Sequence, residues 1–380
     1  MATTHASRLA TRTLAGLAIA SFALLATFGR PAAEANEHYT LSGADVALYD
    51  LAGAARLEPG NGPSVTVQVN RGGADAGRLD IRIAPLGGQQ TLCVRFPSDH
   101  ITYPAIGGSR STLRVRDDGT FGDDRDGAAE RRVTISGHGG DLEAWADLAV
   151  SVPKGQRLVL HLGVGAVTVT NVDGDLRLDT ASGEVSTSGT RGKLRVDTGS
   201  GAVVLHDAQG QIALDTGSGG VEVNRVRGSD LSVDTGSGHV TVDDAKVDHL
   251  HVDTGSGSVG VRGLDAPRVE LDTGSGGIDV DLAGDVESLT ADTGSGHVTL
   301  MVPRTLGATF ELSSSSGEIE VAVPHESTHL ERDEARGRIG DGRGRIRLES
   351  GSGSVRIRPR AAGGSSLLMV PDPVLRSTLE

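Results

Sequence analysis

Asp-Thr-Gly-Ser is the kind of tetrapeptide that supplies a catalytic carboxylate when two copies face each other and share a proton. This chain holds it six times, at Asp197, Asp215, Asp234, Asp253, Asp272 and Asp292, each time extended to Asp-Thr-Gly-Ser-Gly. A second candidate is His325-Glu326-Ser327-Thr328-His329. On a helix, its two imidazoles would share a face and hold zinc, with Glu326 as the general base. A third is the acidic run Asp117-Asp118-Gly119-Thr120-Phe121-Gly122-Asp123-Asp124-Arg125-Asp126-Gly127. It offers oxygen ligands for calcium but lacks the D-x-D-x-D-G frame and the bidentate Glu at position 12, so it reads as a solvated hairpin loop.

Spacing decides what the aspartates do. A near copy, Asp-Thr-Ala-Ser-Gly, starts at Asp179, and degenerate copies start at Ser313 and Glu349. Successive starts lie 18, 18, 19, 19, 19, 20, 21 and 36 residues apart, the last gap being two units of 18. A proton-sharing dyad needs two carboxylates across a cleft, whereas a fixed period near 20 builds a column on a repeat scaffold. The expected role of each Asp is to accept backbone N–H bonds inside its own turn. Neighbouring carboxylates about 4.8 Å apart repel by about 1 kcal/mol in water, a cost that calcium between them could also offset. The His325–Glu326–His329 motif follows the apolar stretch 319–323, where one repeat unit goes missing. No His follows it, and carboxylates such as Glu331 or Glu349 are the only candidates for a third ligand. We read it as a surface excursion and assign no catalytic residue and no cofactor.

The elements that carry these residues follow from the apolar pattern. With each Asp as position 0, positions −3 and −1 are apolar (Leu176/Leu178 through Val269/Leu271). Positions +6 and +8 are apolar as well, from Val203/Leu205 through Val298/Leu300. Period-two alternation on both sides of the motif makes each unit two short half-buried strands. A small apolar residue at +11 (Ala208, Val226, Ala245, Leu264) fills a corner. Gly at +4 recurs in every copy, including Gly201, Gly219, Gly238, Gly257, Gly276 and Gly296, and is expected to need positive φ. Position +2 tolerates Ala181 and Ser315. The residues that stretch the period fall after +8, so one edge of each rung is fixed and the opposite edge varies.

Four buried aliphatic side chains contribute roughly 6–12 kcal/mol, and ordering about 19 residues costs roughly 20–40 kcal/mol, so a single rung cannot stand alone. Stacking must supply the difference. The expected fold is all-β: a single-stranded β-solenoid of 18–21-residue rungs, two short strands per rung, with capping segments. The array 161–358 contains one aromatic, Phe310, which suits a thin aliphatic core. Residues 36–160 read as irregular β-rich early rungs and a cap that would contain Trp145, and 359–380 as a C-terminal tail. Residues 1–35 read as a secretory signal. Arg8 and Arg12 precede the apolar stretch 14–28, and Ala33-Glu34-Ala35 forms the cleavage site. That predicts an exported chain, periplasmic, secreted or on the cell surface, with no membrane span after processing. Net charge is −14, which argues against a nucleic-acid partner. The lone Cys93 cannot form an intramolecular disulfide.

Apolar-x-apolar-Asp-Thr-Gly-Ser-Gly-x-Val-x-Val, repeated behind a signal peptide, resembles the bacterial putative-adhesin family of β-strand-repeat proteins, a domain of unknown function. The resemblance covers roughly 158–358. The stretch from Leu92-Cys93-Val94-Arg95-Phe96-Pro97 to Tyr103-Pro104 is similar to the N-terminal part of envelope proteins of this kind. It implies a non-catalytic scaffold that presents or binds an envelope or surface protein or polymer, and it carries no catalytic residues to transfer. Loops that vary on a fixed scaffold carry binding. The candidate contacts are therefore Asp243-Asp244-Ala245-Lys246 and Arg262-Gly263-Leu264-Asp265. The alternatives are an envelope-stress sensor or regulator, and a zinc-dependent hydrolase built on His325, Glu326 and His329.

Overall fold

The computed structural model describes residues 36–122 and 130–360. The described residues are almost entirely β-strand, with no α-helix and two three-residue 3-10 turns, Ala76–Arg78 and Pro104–Ile106. The signal segment, the tail from 361 and residues 123–127 of the acidic run lie outside them.

The repeats form the expected solenoid. Each rung contributes a strand to two parallel ladders. The first ladder stacks Gln156–Val164, Asp173–Ser182 and Arg191–Ser200, then the second halves of Val203–Ser218, Val221–Ser237 and Val240–Ser256, then Arg268–Thr273 and Ser288–Thr293. The second ladder runs from Val167–Thr170 and Val185–Ser188 through the first halves of the same three long strands. It continues through Val259–Leu264, Ile278–Leu282 and Val298–Val302. The apolar residues at −3, −1, +6 and +8 are buried in every regular rung, as are Val172, Thr190, Ala208, Val226, Ala245 and Leu264 at +11.

Both ends of the solenoid depart from sequence order. The expected order places the Glu349 rung after the Ser313 rung. In the structure Ser288–Thr293 pairs directly with Gly344–Ser350, and Ala308–Ser314 lies on its far side. The second ladder agrees: Val298–Val302, Val355–Pro359, Ile319–Val321. No rung is missing between 313 and 349. Instead, the chain overshoots by one level, turns through a hairpin and inserts its last rung behind itself. The inserted rung carries Arg345, Arg347, Arg356, Arg358 and Arg360 against a single acid, Glu349. The rung outside it carries Glu311, Glu318 and Glu320 and no base. Arg356 and Arg358 both reach Glu320, at 3.4 and 2.8 Å. Charge alternation therefore matches the inserted order.

The N-terminal end repeats the device. Asp45–Ala52 lies between Gln89–Arg95 and Gln156–Val164, and Ala55–Gly60 lies between Trp145–Pro153 and Val167–Thr170. The stretch 45–60 is thus a regular rung pinned by residues that follow their partners by 44 to 112 positions. Antiparallel strands cover three of the four ladder ends: Asp80–Leu86 over Gln89–Arg95, Val65–Gly72 over Trp145–Pro153, and Glu334–Ile339 over Ala308–Ser314. Reversed strands of this kind blunt the open edges of a parallel stack. A separate four-stranded sheet (His100–Thr102, Arg110–Arg116, Glu130–Ser136, Leu142–Glu143) lies over the first ladder near this end. Leu113 reaches the backbone at Gly163, and Phe121 meets Tyr49 edge-on at 5.8 Å.

Candidate functional site

The six Asp-Thr-Gly-Ser-Gly aspartates stand in register as an outward column. Pairing links Asp179, Asp197, Asp215, Asp234, Asp253, Asp272, Asp292 and Glu349 in that order. They sit within strands rather than in turns, half-buried or exposed. No bond from a backbone N–H to these carboxylates appears among the described residues, unlike the expected Asx arrangement. Burial, then the charges of Asp197 and Asp234, holds the Asp215 carboxyl above its usual range, and Arg195 opposes this. Asp292 is raised by burial and then by Glu349 and Asp272, with Arg347 opposing. No group of three or more His, Cys, Asp or Glu among the described residues is arranged to hold a metal ion.

The Thr of the motif turns inward. Thr180, Thr198, Thr216, Thr235, Thr254, Thr273 and Thr293 are all at most 1% exposed, which continues the parity of −3 and −1. Thr273 and Thr293 donate to the carbonyls of Gly257 and Gly276 on the preceding rung, at 3.0 and 2.9 Å. In the two irregular rungs Ser350 and Ser314 do the same to Gly296 and Gly353, at 2.7 and 2.8 Å. The acceptors Gly296 and then Gly353 follow the inserted stacking.

Gly at +4 is required in every rung by close approach to the rung below, and at Gly165, Gly183, Gly201 and Gly219 also by a positive φ of 141–159°. A Cβ on Gly201, Gly219, Gly238, Gly257, Gly276 or Gly296 would lie 1.9–2.0 Å from the carbonyl oxygen of the glycine one rung below. At +2 the corresponding distance is 2.5–2.7 Å, to the backbone that Ala181 already occupies in one rung. Left-handed backbone near φ 60° marks the opposite corner, at +10: Asn171, Gly189, Asp207, Arg225, Asp244 and Gly263 all have φ between 53 and 68°. Asn, Asp and Gly adopt this region most readily. Arg225 is the exception, and its guanidinium grips Asp207 at the same corner one rung below, at 2.6 and 2.8 Å.

This corner lies on the edge with variable spacing, and it is dense in ion pairs between rungs. Arg227 meets Asp244 at 2.7 Å, Lys246 meets Asp265 at 2.7 Å, and Arg262 meets Asp243 at 3.4 Å. An inner glycine column, Gly174, Gly192, Gly210, Gly228, keeps the early rungs tight. It ends where Val247 succeeds Gly228. At that step the surface opens into a groove of about 310 Å³ lined by Arg227, Gly228, Lys246, Val247, Asp248, Asp265 and Pro267. A wider cleft of about 490 Å³ lies at the N-terminal end, where Lys154 and Arg157 border it and pair with Asp173, Asp45 and Asp175.

The histidine motif is not a helix. Glu326–Leu330 is an edge strand paired antiparallel with Glu334–Ile339, irregular between Ser327 and His329. Four residues along a strand span about 13 Å, too far for two ligands of one zinc. His325 bonds to the Val323 carbonyl at 2.8 Å and meets Phe310 edge-on, whereas His329 faces Glu331 at 3.3 Å and Glu326 pairs with Arg338 at 2.6 Å. The structure does not bring the three residues together.

Sequence reasoning missed a buried cluster near the N-terminal end. The aspartate column continues backwards as His161, Tyr49 and Cys93. His161 is buried, lies 3.0 Å from Asp179, and stacks on Tyr49 with ring centroids 4.4 Å apart. Cys93 is buried beneath Gly119, and burial pushes its thiol up to about 12. Asp50 is wholly buried in the column of inward threonines, and burial pushes its carboxyl well above the usual range. Its Oδ2 has no hydrogen-bond partner among the described residues. In the acidic loop, Asp118 accepts from the Thr120 N–H and hydroxyl at 2.9 and 2.7 Å, closing a turn on itself.

Residues 192–358 match the Toastrack DUF4097 family model. No curated protein matches the chain. Two solved structures align along most of it. One, from Clostridium sporogenes and described as a putative cell adhesion protein, is 8% identical and covers 86% of this chain and 100% of its own, with a TM-score of 0.22. The other, from Bacteroides fragilis and described as a putative adhesin, is 11% identical and covers 87% and 98%, with a TM-score of 0.31. No helix among the described residues is long and apolar enough to cross a membrane.

Proposed function

We propose that this chain, whose residues 192–358 form a Toastrack DUF4097 domain, is an exported, non-catalytic scaffold of the cell envelope that binds a protein or polymer along its variable edge. The observation that carries the reading is the groove at the Gly228-to-Val247 step. There Val247 succeeds the inner glycine column, and Arg227, Lys246, Asp248 and Asp265 gather beside Val247 and Pro267. A rigid ladder beneath that edge holds the charges at fixed intervals, which suits a ligand with a repeating backbone or an extended peptide. The aspartate column and the His325–His329 strand support a non-catalytic role, because neither forms a cleft with paired acid and base groups. Export rests on the signal-like features of residues 1–35.

The test is site-specific photocrosslinking in cells, with the probe at Lys246 and, as control, at Thr290 on the opposite ladder. The reading expects the chain in the periplasmic, surface or secreted fraction and a discrete adduct from position 246 only. A cytoplasmic chain, or equal capture from both positions, overturns it. An adduct with a membrane signalling protein would assign the edge to regulation rather than adhesion.

A further inference from the structure

On a strand, two histidines share a face when they are two residues apart, because side chains alternate. His249 and His251 have that spacing on Val240–Ser256. Leu250 and Val252 are buried, so both imidazoles point outward. Their ring centroids lie 6.4 Å apart. The next rung places Arg268 beside His249 and Glu270 beside His251, and the preceding rung places Asp230 and Ser232 there. Beyond Arg268 and Glu270 come the uncharged Ser288 and Thr290.

One carboxylate oxygen reaches both rings. Glu270 Oε2 lies 3.5 Å from His251 Nδ1 and 3.9 Å from His249 Nε2. Two donors on one tetrahedral zinc stand about 3.3 Å apart, since each bond is about 2.0 Å. As placed, the three side chains do not form a metal-holding group, and the two rings must draw together to do so. All three are partly exposed and can turn, on a backbone that the parallel ladder fixes. On the far side of His249, Nδ1 faces Asp230 Oδ1 at 4.0 Å. A carboxylate there favours the proton on Nδ1 and leaves the Nε2 lone pair aimed at Glu270, as metal-bound histidines require. Asp230 and Glu270 outweigh Arg268, and Asp253 and Asp272 continue the same outward rows, so the local field favours a cation. Two imidazoles with one carboxylate suit zinc, whereas calcium and magnesium take oxygen ligands.

We propose that His249, His251 and Glu270 form a surface zinc(II) site. Its remaining position faces solvent and would take water or a donor from a bound partner. The test is calorimetric titration of the chelator-stripped full chain with zinc chloride. At about pH 7.5 the chain should take up one zinc. At about pH 5, below the usual imidazole pKa of about 6.5, uptake should be lost. His249→Ala, His251→Ala and Glu270→Gln should each weaken binding at least tenfold and leave the thermal midpoint of the metal-free chain unchanged. The double variant His325→Ala, His329→Ala should bind as the wild type does. No uptake by the wild type, or full affinity after either His249→Ala or His251→Ala, overturns the site. Loss in the His325, His329 double variant overturns it in favour of that edge strand. Full affinity in Glu270→Gln overturns the three-residue set in favour of the imidazoles alone.

Discussion

Within the repeated pentapeptide the division of labour is set by which way each side chain points. Thr is buried and bonds the rung below, Gly at +4 lets two backbones approach, and Asp is left outside with like charges above and below. Gly238→Ala would place a methyl 2.0 Å from the Gly219 carbonyl, whereas Gly236→Ala would place one 2.6 Å from Gly217. We expect losses of about 3 kcal/mol or more and about 1–2 kcal/mol respectively by chemical denaturation, and equal losses would refute the close-approach account. The aspartates predict a pH dependence. Asp215 has its folded pKa raised, so the folded chain keeps that proton to higher pH than the unfolded chain. Its contribution to stability is full below the unfolded pKa and is lost as pH rises through the folded one. Asp234→Asn removes one of the charges raising it. At low salt and neutral pH it should stabilise by about 0.3–0.5 kcal/mol after solvent screening. The gain should vanish near pH 3, where Asp215, with its raised pKa, is protonated (about 3.9 for a free Asp). A gain that persists in acid would mean that charge is not the cause.

Each rung has two corners of different physics. At +4 the constraint is contact between rungs, joined in the early rungs by a positive φ, while at +10 it is the left-handed backbone itself. A Cβ on Gly263 (φ 64°) would meet nothing nearer than 3.8 Å, so only conformation resists substitution there. Gly263→Asn should be nearly neutral, and Gly263→Val should cost about 1–2 kcal/mol, measured by the thermal midpoint of the intact chain. Similar midpoints for the two variants would show that the corner relaxes out of the left-handed region. Much of this was legible. Parity placed the core at −3, −1, +6 and +8, and the same parity carried two residues further would have placed Thr inside. The run of Asn171, Gly189, Asp207, Asp244 and Gly263 at one position was the signal for the left-handed corner. The recurrence of Gly at +4 pointed to positive φ, which the early copies Gly183, Gly201 and Gly219 have, but it hid the close approach between rungs, because steric exclusion and positive φ both select glycine.

At the scale of the whole molecule, a solenoid stacked in sequence order frays from its chain ends. Here the outermost rungs are internal to the sequence, and the rungs nearest the chain ends are enclosed between neighbours. The arrangement adds contacts of long sequence separation, such as Leu148 with Ala55 and Thr290 with Arg347, and these delay folding. The regular rungs 173–282 pair only with their sequence neighbours and can zip locally. Pulse-labelling hydrogen exchange during refolding should therefore show protection of 173–282 before 45–60 and 344–359. Simultaneous protection of all three would show that the enclosed ends form without waiting for the array.

The sequence alone determined the solenoid, its rung length, its aliphatic core and the edge on which rungs vary. Those properties repeat every 18–21 residues, and a repeat states its own periodicity. Only the tertiary structure decided the order of the end rungs and the fate of His325, Glu326 and His329. Every rung presents nearly the same edge, so the local pattern does not say which rung follows which. That choice depends on charge between stacked neighbours, as where the Arg356–Arg358 strand meets Glu320, and on how far a hairpin can carry the chain before it returns.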